Sequence, residues 1–455
     1  MYSNRSVSYL ILPILVMLNL SCTARQTSGD GWLQYSSPTE AGFSTDGLTE
    51  AKAYFDNLDS ETLMLVHKGK VVFAWGDPTK RYRQVSIRKS YLSALFGKEI
   101  DAGTVSLDAT LADLGIDDIH NLTDAEKQAK VIDLMATRSG IYLPSAYMPR
   151  GMVKNLPERG SAKPGERWFY NNWDFNTLGT VYRNASGRKI GEAFSEDFAK
   201  PLGMEDFRLF DTYSRVEERR SSHPAYLFKM SARDMARFGQ LYLNGGTWNG
   251  KRLVSKSWIE TSWKRHVPEL PERWTQRGSY GLLWWISKDQ RYYYASGANG
   301  QRIAIFPDQD MVLVHVVDNY QNNDVAQPDF DRLVDLILAA KTGPARANAA
   351  TKPFRPSTDP RLDSPVALDA DVVNKISGEY RHRFVGRLKV EMADGKLVMR
   401  TGIGSFHLVP QEDGRFWTED IRQYARFEPG NDDQKGKAQS IRDDNGNVAE
   451  VVMYY

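Results

Sequence analysis

Apolar positions along the chain recur with two different periods, separated by polar punctuation, and the periods assign the elements. In "TEAGFSTDGLTEAKAYFDNL" they fall at helical spacing, with Thr45 or Asp46 near the N-cap. In "ETLMLVHKGKVVFAWG" two β-branched and apolar runs flank Lys68-Gly69-Lys70, which predicts a hairpin. From Val85 to about Ile259 the pattern is mostly helical. The clearest helix is "MSARDMARFGQLYLNGG", with Ser231 at the cap and Asn244-Gly245 at the stop. From Tyr292, "YYYASGANGQRIAIFPDQDMVLVHVVDN" returns to strands, with turns at Ala298–Gly300 and Pro307–Asp310, and "FDRLVDLILAAK" predicts a closing helix. Strands at both ends of a helical middle imply an α+β domain, in which one antiparallel sheet is flanked by helices and an all-helical lobe sits beside it.

The ends of the chain follow other grammars. Residues 342–370 are rich in Pro, Ala and Asp and predict a linker. Residues 371–455 carry short alternating strands separated by Asp-Gly and Gly turns, the pattern of a small all-β barrel. At the N-terminus, Met1 and Arg5 precede the apolar run "YLILPILVMLNL" and then "SC". That run is shorter than the ~20 residues that span a bilayer. It resembles a bacterial lipoprotein signal over residues 1–22, with Cys22 as the acylated first residue and 23–31 as a tether. Leu18 lies one place earlier than such signals usually put their leucine, and Asn19 takes its position; the alternative is a plain secretory signal with a buried thiol. The expected location is the bacterial cell envelope, facing the periplasm, with the lipid anchor of the lipoprotein reading as the membrane contact. The domain proper then covers 32–341.

Composition changes this picture little. The 455 residues are 41% hydrophobic and 25% charged, and Cys22 is the one cysteine, so disulfides are excluded within the chain. Basic and acidic residues number 59 and 57, and the net charge of +2 does not suggest a nucleic-acid partner. None of the seven histidines has metal-ligand spacing, and no motif asks for a cofactor or a metal.

The chemistry lies in "YRQVSIRKSYLSALFGKEIDAG". Ser86 and Lys89 stand three apart at the start of an apolar helix, on one face and within reach of each other. A serine becomes nucleophilic beside a base, and lysine serves as that base when burial or a neighbouring cation lowers its pKa. Arg88, on another face, is expected to stay solvated. Ser186 and Lys189 repeat the spacing in "NASGRKIG", but in a turn after a helix. Tyr-x-Asn occurs at Tyr170/Asn172, Tyr182/Asn184, Tyr242/Asn244 and Tyr320/Asn322, and only Tyr170 follows a Pro-Gly turn among aromatics and precedes a helix. "YYYASGANGQ" ends a strand in small residues, where a ligand can come close.

Taken in order, Ser86-x-x-Lys89, "LMATRSGI", "KPGERWFYNN" and "ASGANGQ…FPDQDMVLV" resemble the serine β-lactamase and penicillin-binding superfamily, nearest its class C-like branch of esterases, D-peptidases and aminohexanoate-oligomer hydrolases. The C-terminal barrel resembles the lipocalin-like appendage of some members. The resemblance implies Ser86 as acylated nucleophile, Lys89 as base, Tyr170 as second proton-transfer group and Asn172 as a substrate contact. It also implies an oxyanion hole from the N–H groups of Ser86 and Ala298, beside Ser296 and Gly297. One departure matters: Ala295 stands where the third motif usually has Lys or His, which points to esters or amides without a free carboxylate, unless Arg302 restores the charge. Glu166 reads as a surface residue. One of Trp284 and Trp285 is expected in the core and the other at the cleft; Trp173 and Asp174 are also cleft candidates, and Asp234 with Arg237 reads as a surface pair. The expected function is hydrolysis of an ester or amide in a small molecule or peptide through an acyl-serine. Alternatives are a β-lactamase or D-alanyl carboxypeptidase, a non-catalytic envelope sensor on the same scaffold, and a ligand-binding β domain.

Overall fold

Lys68 and Gly69 both adopt positive φ, 50° and 74°, the left-handed pair that a two-residue hairpin turn needs, and the strands Thr62–His67 and Lys70–Gly76 form on either side. The computed structural model describes residues 31–455 apart from 321–322, 357–358, 365, 403 and 444–447. The signal segment, its Cys22 and most of the tether therefore lie outside the described residues.

That hairpin sits inside a nine-stranded sheet. Its order is Ser279–Tyr280, Trp285–Ile286, Tyr293–Ser296, Arg302–Phe306, Met311–Val316, Thr62–His67, Lys70–Gly76, Leu33–Tyr35 and Thr351–Pro353. The two ends of the domain meet where Met311–Val316 pairs antiparallel with Thr62–His67, Val312 opposite Val66 and Val314 opposite Met64. Every pairing is antiparallel except the short parallel contact of Gln34 with Val71. Thr351–Pro353 belongs to the segment expected as a linker; it instead caps the sheet edge by pairing with Leu33–Tyr35, which occupies an otherwise open row of backbone donors and acceptors.

Both sheet faces are covered, so the central strands read as continuous apolar runs. On one face lies the helix Ala232–Leu243, capped by Ser231 as expected. A Cβ at Gly239 would stand 2.6 Å from Val312 Cγ1 and 2.9 Å from Ile303 Cγ2, so this helix backbone rests directly on the sheet. On the other face Phe330, from the helix Gln327–Ala339, lies over Arg302 and beside His315 and Tyr292. The helix Thr45–Asp56 packs against it; its cap is Ser44, whose Oγ accepts from the Gly47 N–H, one residue before the expected position.

The middle of the chain builds the helical lobe from Arg88–Asp101, Val131–Met135, Asn172–Ser186 and Ile190–Phe194. Small two-stranded sheets accompany it, one of them pairing Arg81–Arg83 with the distant Lys229–Ser231. Asp234 and Arg237 are not the expected surface pair. Both are buried: Asp234 accepts from the N–H groups of Glu205 and Asp206, and Arg237 binds Leu202 O and Glu205. They tie the sheet-packing helix to the loop before it.

Residues 378–454 close into an eight-stranded barrel with its own core of Leu397, Phe406, Leu408 and Met453. It is locked to the larger domain by buried charge. Arg81 reaches Asp211 (2.7 Å), Glu419 (2.7 Å) and Asp420 (3.3 Å), and Lys229 reaches Asp420 (2.6 Å) and the carbonyl of Ser405 (2.5 Å). All but Glu419 are fully buried. Removing one partner from such a network strands the other charges, a loss of about 3–5 kcal/mol. Asp420→Ala is therefore expected to lower the unfolding midpoint sharply in a denaturant titration, whereas a change within about 0.5 kcal/mol, the size of an ordinary surface substitution, would show that the network contributes nothing.

Candidate active site

The strand Arg81–Arg83 runs into a turn in which Val85 has φ 44°. A β-branched residue in that region is strained by roughly 1–3 kcal/mol, which the flanking structure must hold. Ser86 follows in the turn, half-buried, and the helix begins at Arg88 with Ile87 at the cap position. Ser86 thus precedes the helix instead of opening it, and the Lys89 N–H bonds back to its carbonyl at 3.1 Å. The spacing of three still brings the side chains together. Lys89 Nζ lies 2.6 Å from Ser86 Oγ and 2.8 Å from Tyr170 Oη.

Lys89 is 2% exposed, and among the described residues no carboxylate pairs with it. Burial, and then the neighbouring charge of Arg88, hold its amine well below the ordinary lysine range. The rings of Phe175 and Tyr170, 4.1 and 4.4 Å from Nζ, favour the charged form, but they do not outweigh the loss of water. Tyr170 comes out of the Pro164-Gly165 turn and stacks among Phe175, Trp274 and Trp285. Burial raises its phenol, partly offset by the Ser86 hydroxyl and by Arg277 and Arg88. At neutral pH the trio therefore contains a proton-holding phenol next to an amine that gives its proton up readily.

Gly297 closes the other side. A Cβ there would stand 2.9 Å from Gln84 O and 3.1 Å from Val85 Cγ2, so only glycine lets the end of the strand Tyr293–Ser296 lie against the turn that carries Ser86. Ser296, Gly297 and Ala298 line the same cavity as Ser86, Tyr170 and Asn172, a space of about 870 Å³, within the usual range for a small-molecule site. Asn172 opens the helix Asn172–Ser186 and donates from Nδ2 to Tyr147 O at 2.6 Å, which fixes the loop that covers this side.

Ala295 is fully buried and absent from the cavity wall, but the site does not lack a cation. Arg277 Nη1 donates to Ser296 Oγ at 2.9 Å, its guanidinium set over Trp274 and Trp285. Arg302, the sequence candidate for this role, is fully committed elsewhere, to Gly300 O, Val325 O and Gln327. Arg88 also departs from expectation. It is 1% exposed, lies 4.6 Å over the Tyr226 ring and borders the cavity instead of solvent, because Tyr226, on the strand Ala225–Leu227, and Tyr147 lie over its side of the helix.

Other candidates separate cleanly. Trp285 lines the cavity, while Trp284 is in the core against Tyr242 and Phe238. Trp173 and Asp174 lie behind the site: the indole donates to Asp118 at 2.6 Å, and Asp174 is sealed between Ser139 and Asn171. Ser186 ends a helix and bonds to Tyr182 O, and Lys189 is a surface partner of Glu192. Glu166 is exposed. Among the described residues no group of three or more His, Cys, Asp or Glu is placed to hold a metal ion. Sequence reading missed Trp274 and Arg277, which stand in an exposed-looking run, "PERWTQRGSYG", and reach the site only through the fold.

A sheet beside a helical lobe, with a serine and lysine between them, is the architecture of the β-lactamase-type serine hydrolases. The β-lactamase family model matches residues 56–337, more than half of the chain, and the chain belongs to that family. A 6-aminohexanoate-dimer hydrolase from Paenarthrobacter ureafaciens is 34% identical over 90 residues, a match spanning 18% of this chain and 23% of that enzyme. Among solved structures, a Bacteroides dorei DSM 17855 protein assigned as a β-lactamase aligns with a TM-score of 0.52 at 18% identity, covering 65% of this chain and 98% of the other. A Bacillus anthracis protein assigned as a 6-aminohexanoate-dimer hydrolase gives 0.50 at 21% identity, covering 68% and 90%. At these identities the structural likeness speaks for the fold.

A buried amine kept from its charge should weigh on stability. The unfolded chain binds one more proton than the folded one between the lowered pKa of Lys89 and the ordinary lysine value, so its contribution to stability rises with pH across that window. Below the window the burden is fully present. Lys89→Met is therefore expected to unfold at the same temperature as the wild type or higher at pH 7, by scanning calorimetry, as buried charges replaced by apolar groups commonly do. A clear fall would show that the amine is well solvated or charge-paired.

Proposed function

We propose that the protein is an acyl-serine hydrolase of esters or amides, with Ser86, Lys89 and Tyr170 as its reacting groups. One observation carries this: the Ser86 hydroxyl and the Tyr170 phenol stand 2.6 and 2.8 Å from the Lys89 amine, whose pKa burial holds well below the ordinary lysine range. Lys89 Nζ takes the Ser86 proton as Oγ attacks the carbonyl carbon. The backbone N–H groups of Ser86 and Ala298 receive the developing oxyanion, each such donor being worth about 3 kcal/mol. Tyr170 gives its proton to the leaving oxygen or nitrogen and recovers one from the Lys89 ammonium, so the circuit closes without bulk water. Water then enters, loses a proton along the same route reversed, and frees the acid from Ser86.

Substrate class is open between esters and amides. The partial similarity to an aminohexanoate-dimer hydrolase favours linear amides. Arg277 beside Ser296 removes the argument that a carboxylate would go unmatched, so β-lactams and peptides with a free C-terminus belong in the same screen. The same arginine removes the motive for reading the chain as a non-catalytic sensor. We also place the enzyme at the bacterial envelope, tethered through acylated Cys22, on the character of its N-terminal sequence.

A fluorophosphonate or a fluorescent penicillin is expected to label the wild type, and Ser86→Ala to abolish the label. Lys89→Ala should slow acylation by about 10²–10⁴-fold, the usual contribution of a positioned base. In the wild type the rate should climb with pH through the lowered pKa of Lys89 and level off below the ordinary lysine range. Folded wild type that reacts with neither probe, nor with any p-nitrophenyl ester, nitrocefin or short amide, overturns the assignment.

A further inference from the structure

Arg88 is the oddest charge in the molecule. Its guanidinium is 1% exposed, makes no ion pair among the described residues, and leaves Nε and Nη1 without a hydrogen-bond partner. A buried cation in that condition is costly, and proteins rarely keep one unless something arrives to match it. Its described neighbours are tyrosines, and the Arg88 charge partly offsets the rise that burial gives the Tyr226 phenol. Tyr226 presents its ring face, at 4.6 Å, and Tyr147 lies further off, at 6.0 Å. Glu217, the carboxylate among the described cavity-lining residues, is taken by Arg215 at 2.8 Å and Arg220 at 3.3 Å and accepts from the Tyr147 N–H.

Yet Arg88 borders the cavity that holds Ser86. It is separate from Arg277, which belongs to the aromatic wall of Trp274 and Trp285 and is already bonded to Ser296. We propose that Arg88 forms an anion subsite next to the nucleophile, and that the substrate carries a carboxylate of its own that docks there while its ester or amide carbonyl meets Ser86. Calling the anion part of a substrate rests on the hydrolase reading; the subsite itself does not. A guanidinium presents a planar fork of N–H donors that fits a carboxylate edge, and Nη1, at the outer end of that fork, is unbound in Arg88. The charge of Arg88 also depresses the Lys89 amine. That service would need neither access to the cavity nor unbound N–H groups, so it does not account for the way the side chain is left.

The test separates binding from turnover. In the full chain carrying Ser86→Ala, calorimetry would compare glutaramate, which has one amide and one carboxylate, with its neutral diamide, glutaramide. Glutaramate is expected to bind at least tenfold tighter, and Arg88→Met to remove about tenfold to a hundredfold of that affinity, the range for a hydrogen bond to a charged group. Should Arg88→Met not fold, Arg88→Lys keeps the charge and loses the fork; it is expected to weaken glutaramate and leave glutaramide unchanged. Equal binding of the two ligands, or glutaramate affinity unmoved by the Arg88 variants, overturns the subsite. If an Arg88 variant shifts only the pH limb of acylation in the Ser86-intact protein, Arg88 serves Lys89 alone and the proposal falls. Failure of probe labelling with glutaramate binding intact would sink the hydrolase reading and spare this one.

Discussion

Keeping water away from one amine is the constraint on which this architecture turns. In the proposed mechanism Lys89 acts on Ser86 only while its nitrogen is dry, and that dryness is assembled from distant parts of the chain. The helix Arg88–Asp101 supplies the amine, the helix Asn172–Ser186 supplies Phe175, and the turn before it supplies Tyr170. Trp274 and Trp285, from the edge of the sheet, back the phenol. No single element could exclude solvent; the lobe and the sheet must be docked for burial to hold the amine's pKa down. The same docking sets the 2.6 Å and 2.8 Å contacts, so the meeting of the three groups and the burial of the amine are two results of one packing.

A strained turn at the centre of that packing needs anchoring from both sides. Val85 holds a conformation that β-branched residues avoid, and Gly297 presses close behind it. Just upstream, Arg81 is bound by three carboxylates, two of them contributed by the barrel. The barrel therefore does more than hang from the domain. It supplies carboxylates to two buried cations, Lys229 and the Arg81 of the strand that leads into the Ser86 turn, and so joins the appended domain to the geometry of Ser86.

What the sequence made legible was local. The hairpin at Lys68-Gly69, the Ser231-capped helix and the alternating strands from Tyr293 to Val316 all declare themselves through period and turn chemistry, and the strand pairing follows once both ends are seen to be sheet. That Ser86, Lys89 and Tyr170 would meet was legible for the same reason: a spacing of three beside a helix start, and a tyrosine just ahead of another helix. The misreadings share one physical cause. Arg88, Arg237 and Asp234 look like surface charges because a charged residue usually is one, and only tertiary neighbours decide otherwise. Thr351–Pro353 has no strand signal, and it pairs because the sheet edge at Leu33–Tyr35 offers it partners.

The missing cation of the third motif makes the same point in chemical terms. A motif records which residue stands at a position, whereas a site requires a charge at a place. Ala295 leaves the position empty, and Arg277 fills the place from a different segment, held by Ser296 and two indoles. An ammonium at the end of a flexible stem has thus been exchanged for a planar guanidinium braced on aromatic faces. Such a group recognises an oxyanion by direction as well as charge, and it keeps its proton whatever the burial around it. That division of labour suits the proposed mechanism, in which lysine has to lose its proton: positive charge at the cavity is assigned to arginines, and the buried lysine beside Ser86 has its pKa held down.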